Sequence, residues 1–415
     1  MKNIVNIIFI YCFGFFLIFR PDIGIGIIFI HLIFIFTCFC LLVEGKAAFI
    51  KNKYINMYFF ITFFLFIYSL IFSVLKTADY SRPYLIFIVL VEVYVCAAYL
   101  SNKVATKSES YLDIYMFLLK VGGIQMIFVF LTILIPDLRD FILSLSRDEN
   151  LAEISNWGDT PIRSFGFATS YTSTMPSFLA ICMAIAVLFF LLHRGAAFLF
   201  LIPVFLIGII LNARSPIIVF TIIISSLLLL SLKYKKISLF FASTLIIIII
   251  IIFILGTFLE IDNSSLARFL DAITEIEELF SGNVTGTFSA LAEMFKIPNN
   301  PRDLIFGMGI NVFTPNELHY HSDSGYIIDL YIYGLLGLLL QLAAISLLYL
   351  HGIMSYKMIA DNRTRLILQF FWSGIFVAYL ILHIKGSVFY INEITISIIL
   401  ISFYNYFLSN RISKG

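Results

Sequence analysis

Gly307-Met308-Gly309-Ile310-Asn311 and, shortly after it, His319-Tyr320-His321-Ser322-Asp323-Ser324-Gly325-Tyr326 close a long polar loop and open an apolar segment at 325–350. A span needs about 20 predominantly apolar residues to cross the hydrocarbon core of a bilayer. Two glycines, two histidines and a helix-start signal therefore stand where a hydrophobic helix leaves water. The pattern points to chemistry at a membrane surface rather than to simple anchoring.

Working outward, the same apolar character runs through the whole chain. Of its 415 residues 61% are hydrophobic, 17% aromatic and 13% charged. A soluble domain carries about 25% charged residues, and no fold of this size hides so much apolar surface from water. A lipid bilayer does, so the expected class is an all-α polytopic integral membrane protein forming one transmembrane domain over 1–415. The net charge of +2 comes with no basic run able to grip a phosphate backbone, so no nucleic-acid partner is expected. Cys12, Cys38, Cys40, Cys96 and Cys182 all fall in apolar segments, which argues against a disulfide framework or a CxxC metal site. Met1-Lys2 and the apolar run after them lack a small-residue cleavage site and read as a retained first span.

Reading from polar break to polar break gives about twelve spans. They lie near 3–19, 23–43, 55–75, 84–100, 111–135, 175–192, 196–211, 216–232, 237–259, 325–350, 366–384 and 388–408. With both termini on the cytoplasmic side, the cytoplasmic segments hold fifteen Lys and Arg and the short outer loops hold five. That bias sets the orientation. Two long loops, 136–174 and 260–324, then lie outside. The second, larger one carries Ser265 to Phe280, whose apolar positions follow helical spacing behind a Ser cap and an acidic polar face. It is expected to pack on the protein's own spans.

Three polar constellations precede helices that run inward from that outer face: Arg163-Ser164-Phe165-Gly166-Phe167, Asn212-Ala213-Arg214-Ser215-Pro216, and His321-Ser322-Asp323-Ser324-Gly325. In the third, Ser322 or Asp323 is the expected N-cap. A helix start exposes unpaired N–H groups and about half a positive charge, and so favours anions. Arginines beside such ends suit pyrophosphate, through forked, charge-assisted hydrogen bonds. Arg163, Arg214 and Arg302 are therefore candidate anion-binding residues. His319 and His321 alternate, so one of them is expected to face a pocket; His321, which abuts the helix start, is the choice of candidate base, and His319 is kept as a candidate binding residue. Asp323 belongs to the same constellation.

Ionisable residues within spans invite a functional reading. Asp329 lies about two turns into its span, placed to orient His321 or a substrate hydroxyl. Glu92 and Lys120 are expected to pair between neighbouring helices, and Glu393 to pair with Lys385 or line a polar seam. Tyr326, Tyr331 and Tyr333 suit either sugar stacking or an interfacial belt. Gly334 and Gly337 are expected to allow close helix packing. No Walker A loop, HExxH, GxSxG or Asp-x-Asp motif is present, so neither a cofactor nor a metal is expected.

Taken in order, Arg163-Ser164-Phe165-Gly166, Ala213-Arg214-Ser215, Leu304 to Gly309, and His321-Ser322 followed by Gly334-Leu335-Leu336-Gly337 resemble the O-antigen polymerase (Wzy) and O-antigen ligase superfamily. The plan of about twelve spans with one dominant late loop matches as well. The gap from Ser322 to Gly334 exceeds the ligase pattern by about two residues, which leans towards the polymerase branch. The resemblance implies a GT-C-like fold in a bacterial inner membrane, whose large late periplasmic loop carries short amphipathic helices. It implies transfer of an undecaprenyl-pyrophosphate-linked oligosaccharide to another lipid-linked repeat unit, with a polysaccharide chain-length regulator as partner. On that scheme Arg163 and Arg214 hold pyrophosphate, and His321 acts as base or positions the acceptor. The competing readings are the ligase, a lipid-linked oligosaccharide flippase, and a membrane scaffold.

Overall fold

The computed structural model describes residues 2–20, 28–44, 51–77, 80–145, 166–167, 174–192, 195–212, 216–231, 294–313, 318 and 320–413. The described residues form helices and no strands. In chain order these are α1 (Lys2–Phe19), α2 (Ile28–Glu44), α3 (Lys53–Phe72), α4 (Ser81–Thr106), α5 (Asp113–Leu134), α6 (Pro136–Leu145) and α7 (Thr174–Leu191). They continue as α8 (Leu201–Asn212), α9 (Pro216–Ser231), α10 (Pro301–Phe306), α11 (Gly325–Tyr356), α12 (Asn362–Lys385) and α13 (Glu393–Ile412).

Most of these helices are apolar on every side, as expected where both the protein interior and the surrounding solvent are hydrocarbon. Among the described residues, six helical segments, namely Lys53–Leu75, Ser81–Thr106, Asp113–Leu134, Thr174–Leu191, Gly325–Tyr356 and Asn362–Lys385, are long and apolar enough to cross a membrane. Shorter apolar helices occupy Asn6–Phe19, Phe29–Glu44, Ala197–Ile209 and Pro216–Leu227. The expected span 237–259 and the amphipathic helix at 265–280 lie outside the described residues. Where the first long outer loop was expected to begin, Pro136–Leu145 is helical.

Helix α7 is the hub, with 94% of its 18-residue apolar window buried. Helices α8 and α9 pack against it, α12 packs on α9, α3 lies along α11, and α4 lies along α13. Helix starts are set by side chains that take orphan N–H groups. Asn52 accepts from the backbone of Tyr54 and Ile55, Asp361 from Arg363 and Thr364, and Asn392 from Ile394 and Thr395. The start of α11 departs from expectation: its N-cap is Ser324, which makes no side-chain capping bond, while the Ser322 hydroxyl accepts from the Ser324 N–H at 3.2 Å.

The intramembrane charges also find unexpected partners. Glu92 does not meet Lys120; its carboxylate lies 2.6 Å from His31 Nδ1, and Lys120 sits over the Tyr11 ring at 5.4 Å. Glu393 lines a buried polar seam, where it accepts from the Thr174 hydroxyl at 2.7 Å and lies 4.0 Å from Arg20. Lys120 fails to reach Glu92 because a helix register sets the direction of a side chain, and complementary charge cannot redirect it.

Hydrogen bonds from the Thr364 side chain and backbone, then from the Arg363 backbone, hold the Asp361 carboxyl below its ordinary range. A depressed folded value stabilises the fold above the unfolded pKa, and that contribution disappears as pH falls through the folded value. Asp361→Ala should therefore melt earlier than wild type at neutral pH in detergent thermal-shift measurements. The gap should close as the pH drops below ~3.9, the ordinary aspartate value.

Candidate functional site

Helix α11 is not continuous. At Gly334 the backbone leaves helical geometry, with φ 66° and ψ −172°. A break of this kind frees carbonyls, and in a bilayer no water takes them up. The segment after α10 does so instead. Met308 N–H donates to the Tyr331 carbonyl at 2.7 Å, and Gly309 N–H donates to the carbonyls of Tyr331 and Ile332, each at 3.2 Å. The Tyr68 hydroxyl reaches the carbonyls of Phe306 at 2.7 Å and Tyr333 at 3.2 Å.

Contact here is backbone on backbone. A Cβ on Gly334 would stand 2.4 Å from Gly307 N and from the Ile305 carbonyl oxygen, and a Cβ on Gly307 (φ 82°) would stand 2.4 Å from the Ile332 carbonyl oxygen. The run Leu304 to Gly309 and the glycine of Tyr333-Gly334 thus form one unit. The close approach expected at Gly334 is made by the last turn of the short helix α10 and the glycine that follows it.

Asp329 stands one turn into α11 and not the expected two; it is fully buried and both of its carboxylate oxygens are occupied. Oδ2 lies 2.9 Å from His383 Nε2, and Oδ1 accepts from the Tyr390 hydroxyl at 2.7 Å. Val388 N–H donates to His383 Nδ1 at 3.1 Å, which places the imidazole proton on Nε2, facing Asp329. The imidazole is stacked on Phe389 at 3.7 Å and met edge-on by Tyr326 at 4.6 Å. The Tyr326 hydroxyl is committed to the Leu380 carbonyl at 2.9 Å. Asp329 therefore does not orient His321. Together with Tyr326 it anchors the start of α11 to the end of α12 and the turn before α13. Arg82 lies over the Tyr390 ring at 4.8 Å and reaches the Asn311 side chain at 3.5 Å, extending the cluster to the loop behind Gly309.

Above this buried support sits an exposed pair. His321 Nε2 lies 2.7 Å from Asp323 Oδ1, and the two side chains are 56% and 50% exposed. An imidazole that donates from Nε2 to a carboxylate presents the Nδ1 lone pair, the arrangement of a general base with its orienting acid. The loop that holds it is stapled from below. Ser322 N–H donates to the Val312 carbonyl at 3.0 Å, and its hydroxyl donates to the Met294 carbonyl at 3.0 Å. The Phe313 ring lies 5.7 Å from the imidazole.

Of the other expected site residues, Arg302 is exposed on the first turn of α10, where Asn300 caps its N–H at 3.0 Å. Arg163, Arg214 and His319 lie outside the described residues, so the convergence of three helix tips falls there too. Gly166 (φ 57°) abuts the Gln125 side chain, and Phe167 packs edge-on against Phe128 at 4.7 Å, which seats the end of the Arg163 motif on α5. Tyr333 is fully buried and so is removed from sugar stacking. Sequence reasoning missed His383, Tyr390 and Arg82. His383 carries a signal, a titratable residue inside an apolar helix, whereas Arg82 reads only as one of the five basic residues of the short outer loops. Among the described residues, no group of three or more His, Cys, Asp or Glu could hold a metal ion.

Comparison with known protein families, with curated proteins and with solved structures finds no match.

Gly334→Ala should lower thermal stability, with strain at the left-handed position alone costing about 1–3 kcal/mol. Limited proteolysis of the same variant should cut between Phe306 and Asn311 sooner than in wild type, because the loop loses its seat. Equal cleavage rates would show that the glycine contact is not what holds the loop.

Proposed function

We propose that this chain is a metal-independent glycosyltransferase of the surface-polysaccharide polymerase type, working on the periplasmic face of a bacterial inner membrane. The observation that carries the reading is the exposed His321–Asp323 pair at 2.7 Å, placed where a hydrophobic helix begins and standing on a buried scaffold. The motif resemblance supports it, and so does the membrane-protein fold, since both substrates are lipid-linked.

The chemistry needs few parts. Nδ1 of His321 takes the proton from an acceptor hydroxyl, whose oxygen attacks the anomeric carbon of the donor. The bond from that carbon to the phosphate oxygen breaks, and undecaprenyl pyrophosphate leaves with the electron pair. Asp323 steadies the imidazolium formed. Charge develops on phosphate oxygens, so Arg163 and Arg214 are assigned to the pyrophosphate, with Arg302 and His319 at the edge of the same site. Asp329 and Tyr326 are positioning residues, which act through His383 and the start of α11. A chain-length regulator is the expected protein partner.

The test uses a strain lacking this gene, complemented with variants and read by gel analysis of its surface polysaccharide. Wild type should restore the long ladder. His321→Ala should leave single repeat units on the surface lipid, and loss of a general base should slow transfer by about 10²–10⁴-fold. Asp329→Ala should instead lose folded protein, because breaking a buried pair costs about 3–5 kcal/mol. Repeat units stranded in the cytoplasmic leaflet would point to a flippase, and finished polymer held on the carrier lipid to a ligase; either result would overturn the proposal.

A further inference from the structure

Away from that site, a row of polar side chains runs along the contact between α2 and α4. From one end, the Tyr84 hydroxyl meets His31 Nε2 at 2.5 Å, and His31 Nδ1 meets Glu92 at 2.6 Å. Then come Thr37 and Cys96, 3.4 Å apart, with Cys40 one helical turn further along α2. At the other end Glu44 accepts from the Tyr99 hydroxyl at 3.2 Å and from Lys103 at 2.5 Å.

Every contact joins a residue of α2 to one of α4. Tyr84 and Lys103 are about 29 Å apart at 1.5 Å rise per residue, close to the ~30 Å of a bilayer's hydrocarbon core. The two ends are open, with Tyr84 40% exposed and Lys103 partly so, while Glu92, Thr37 and Cys96 between them are buried.

Gluing two helices together does not need this much. One or two interhelical hydrogen bonds suffice, and each polar group placed among hydrocarbon costs free energy. The middle of the row also carries two marks of a working site. Glu92 sits in a π-helical stretch, Ile88–Val93, a distortion that favours functional positions. Its Oε2 is buried with no hydrogen-bond partner.

We propose that the α2–α4 seam is a proton path across the membrane, an activity separate from the site at the start of α11. His31 has both ring nitrogens engaged, so it can accept a proton on one and release one from the other. Water at the open end protonates the Tyr84 hydroxyl as that hydroxyl passes its own proton to Nε2. The Nδ1 proton then moves to the Glu92 carboxylate. Glu92 and Cys96 are one helical turn apart, about 6 Å, within the swing of a glutamate side chain. The Cys96 thiol passes its own proton to the Thr37 hydroxyl, which turns from the Ile33 carbonyl it faces at 2.7 Å to hand its proton along α2 to Cys40; Tyr99 then carries it to Glu44, which releases a proton to water at the open end. Each group gains one proton and loses one, so only the proton moves. The titratable groups that feel the Glu92 charge are His31 from α2 and Tyr84 and Cys96 from α4 itself.

The test reconstitutes the full chain into liposomes loaded with a pH-sensitive dye, with valinomycin and a potassium gradient as driving force. Wild type should carry protons faster than protein-free liposomes. Glu92→Gln keeps a hydrogen-bonding side chain but cannot ionise, and should fall to the protein-free rate, as should His31→Phe. Arg365→Gln, a half-buried change on the first turn of α12 and away from the seam, should keep the wild-type rate. Monodisperse elution at the wild-type position checks folding, and if Glu92→Gln fails that check, Glu92→Asp takes its place and should carry a reduced flux. Wild-type flux no greater than in protein-free liposomes, or full flux in a folded Glu92→Gln, overturns the proposal.

Discussion

A helix can break inside hydrocarbon only if other groups take the hydrogen bonds it gives up, and this requirement organises the region around α11. The carbonyls freed near Gly334 would be costly in lipid. Met308 and Gly309 supply two N–H donors, and Tyr68 adds a hydroxyl. The break is therefore a clasp, in which a loop segment and a helix complete each other. Glycine is required on both sides, because the two backbones touch where a Cβ would have to fit.

The clasp has consequences for the candidate site. Loop 307–313 cannot shift without exposing carbonyls of α11, so it offers a firm floor. The His321 loop is pinned to that floor through Ser322 and Val312. On the other side, the start of α11 is anchored by Asp329, whose two oxygens are saturated by His383 and Tyr390. A buried carboxylate in this state has no lone pair directed at a substrate, and its work is to hold position. The exposed His321–Asp323 pair has the opposite character, an imidazole and a carboxylate in contact and open to solvent. Two acidic residues six positions apart are thus placed differently, Asp329 buried and paired and Asp323 open to solvent beside His321.

The α2–α4 seam shows the same economy at another place in the bundle. One oxygen of Glu92 pairs with His31 while the other stays unpaired, and the Tyr84 hydroxyl occupies the remaining imidazole nitrogen. Helix α4 can carry the row because its π-helical stretch changes the rotation per residue around Glu92. Polar groups are rare in so apolar a chain. Where they gather along one contact, neighbouring groups share the cost of burial.

Local character alone told much of the architecture. Polar-to-apolar steps at Thr174, Pro216 and Gly325 mark helix starts, because the cost of leaving water is paid residue by residue and needs no distant partner. His321 beside Asp323 was equally readable, since the two residues are neighbours in the chain. The partners of Asp329 were not: they lie 54 and 61 residues away, and hydrophobic periodicity says how deep a residue sits but not what it faces. Gly334 reads as a packing glycine in Tyr-Gly-Leu-Leu-Gly, and its left-handed backbone becomes a necessity only once Gly307 is seen lying across it. Burial is thus a property of composition, whereas pairing follows from which helices the fold sets side by side.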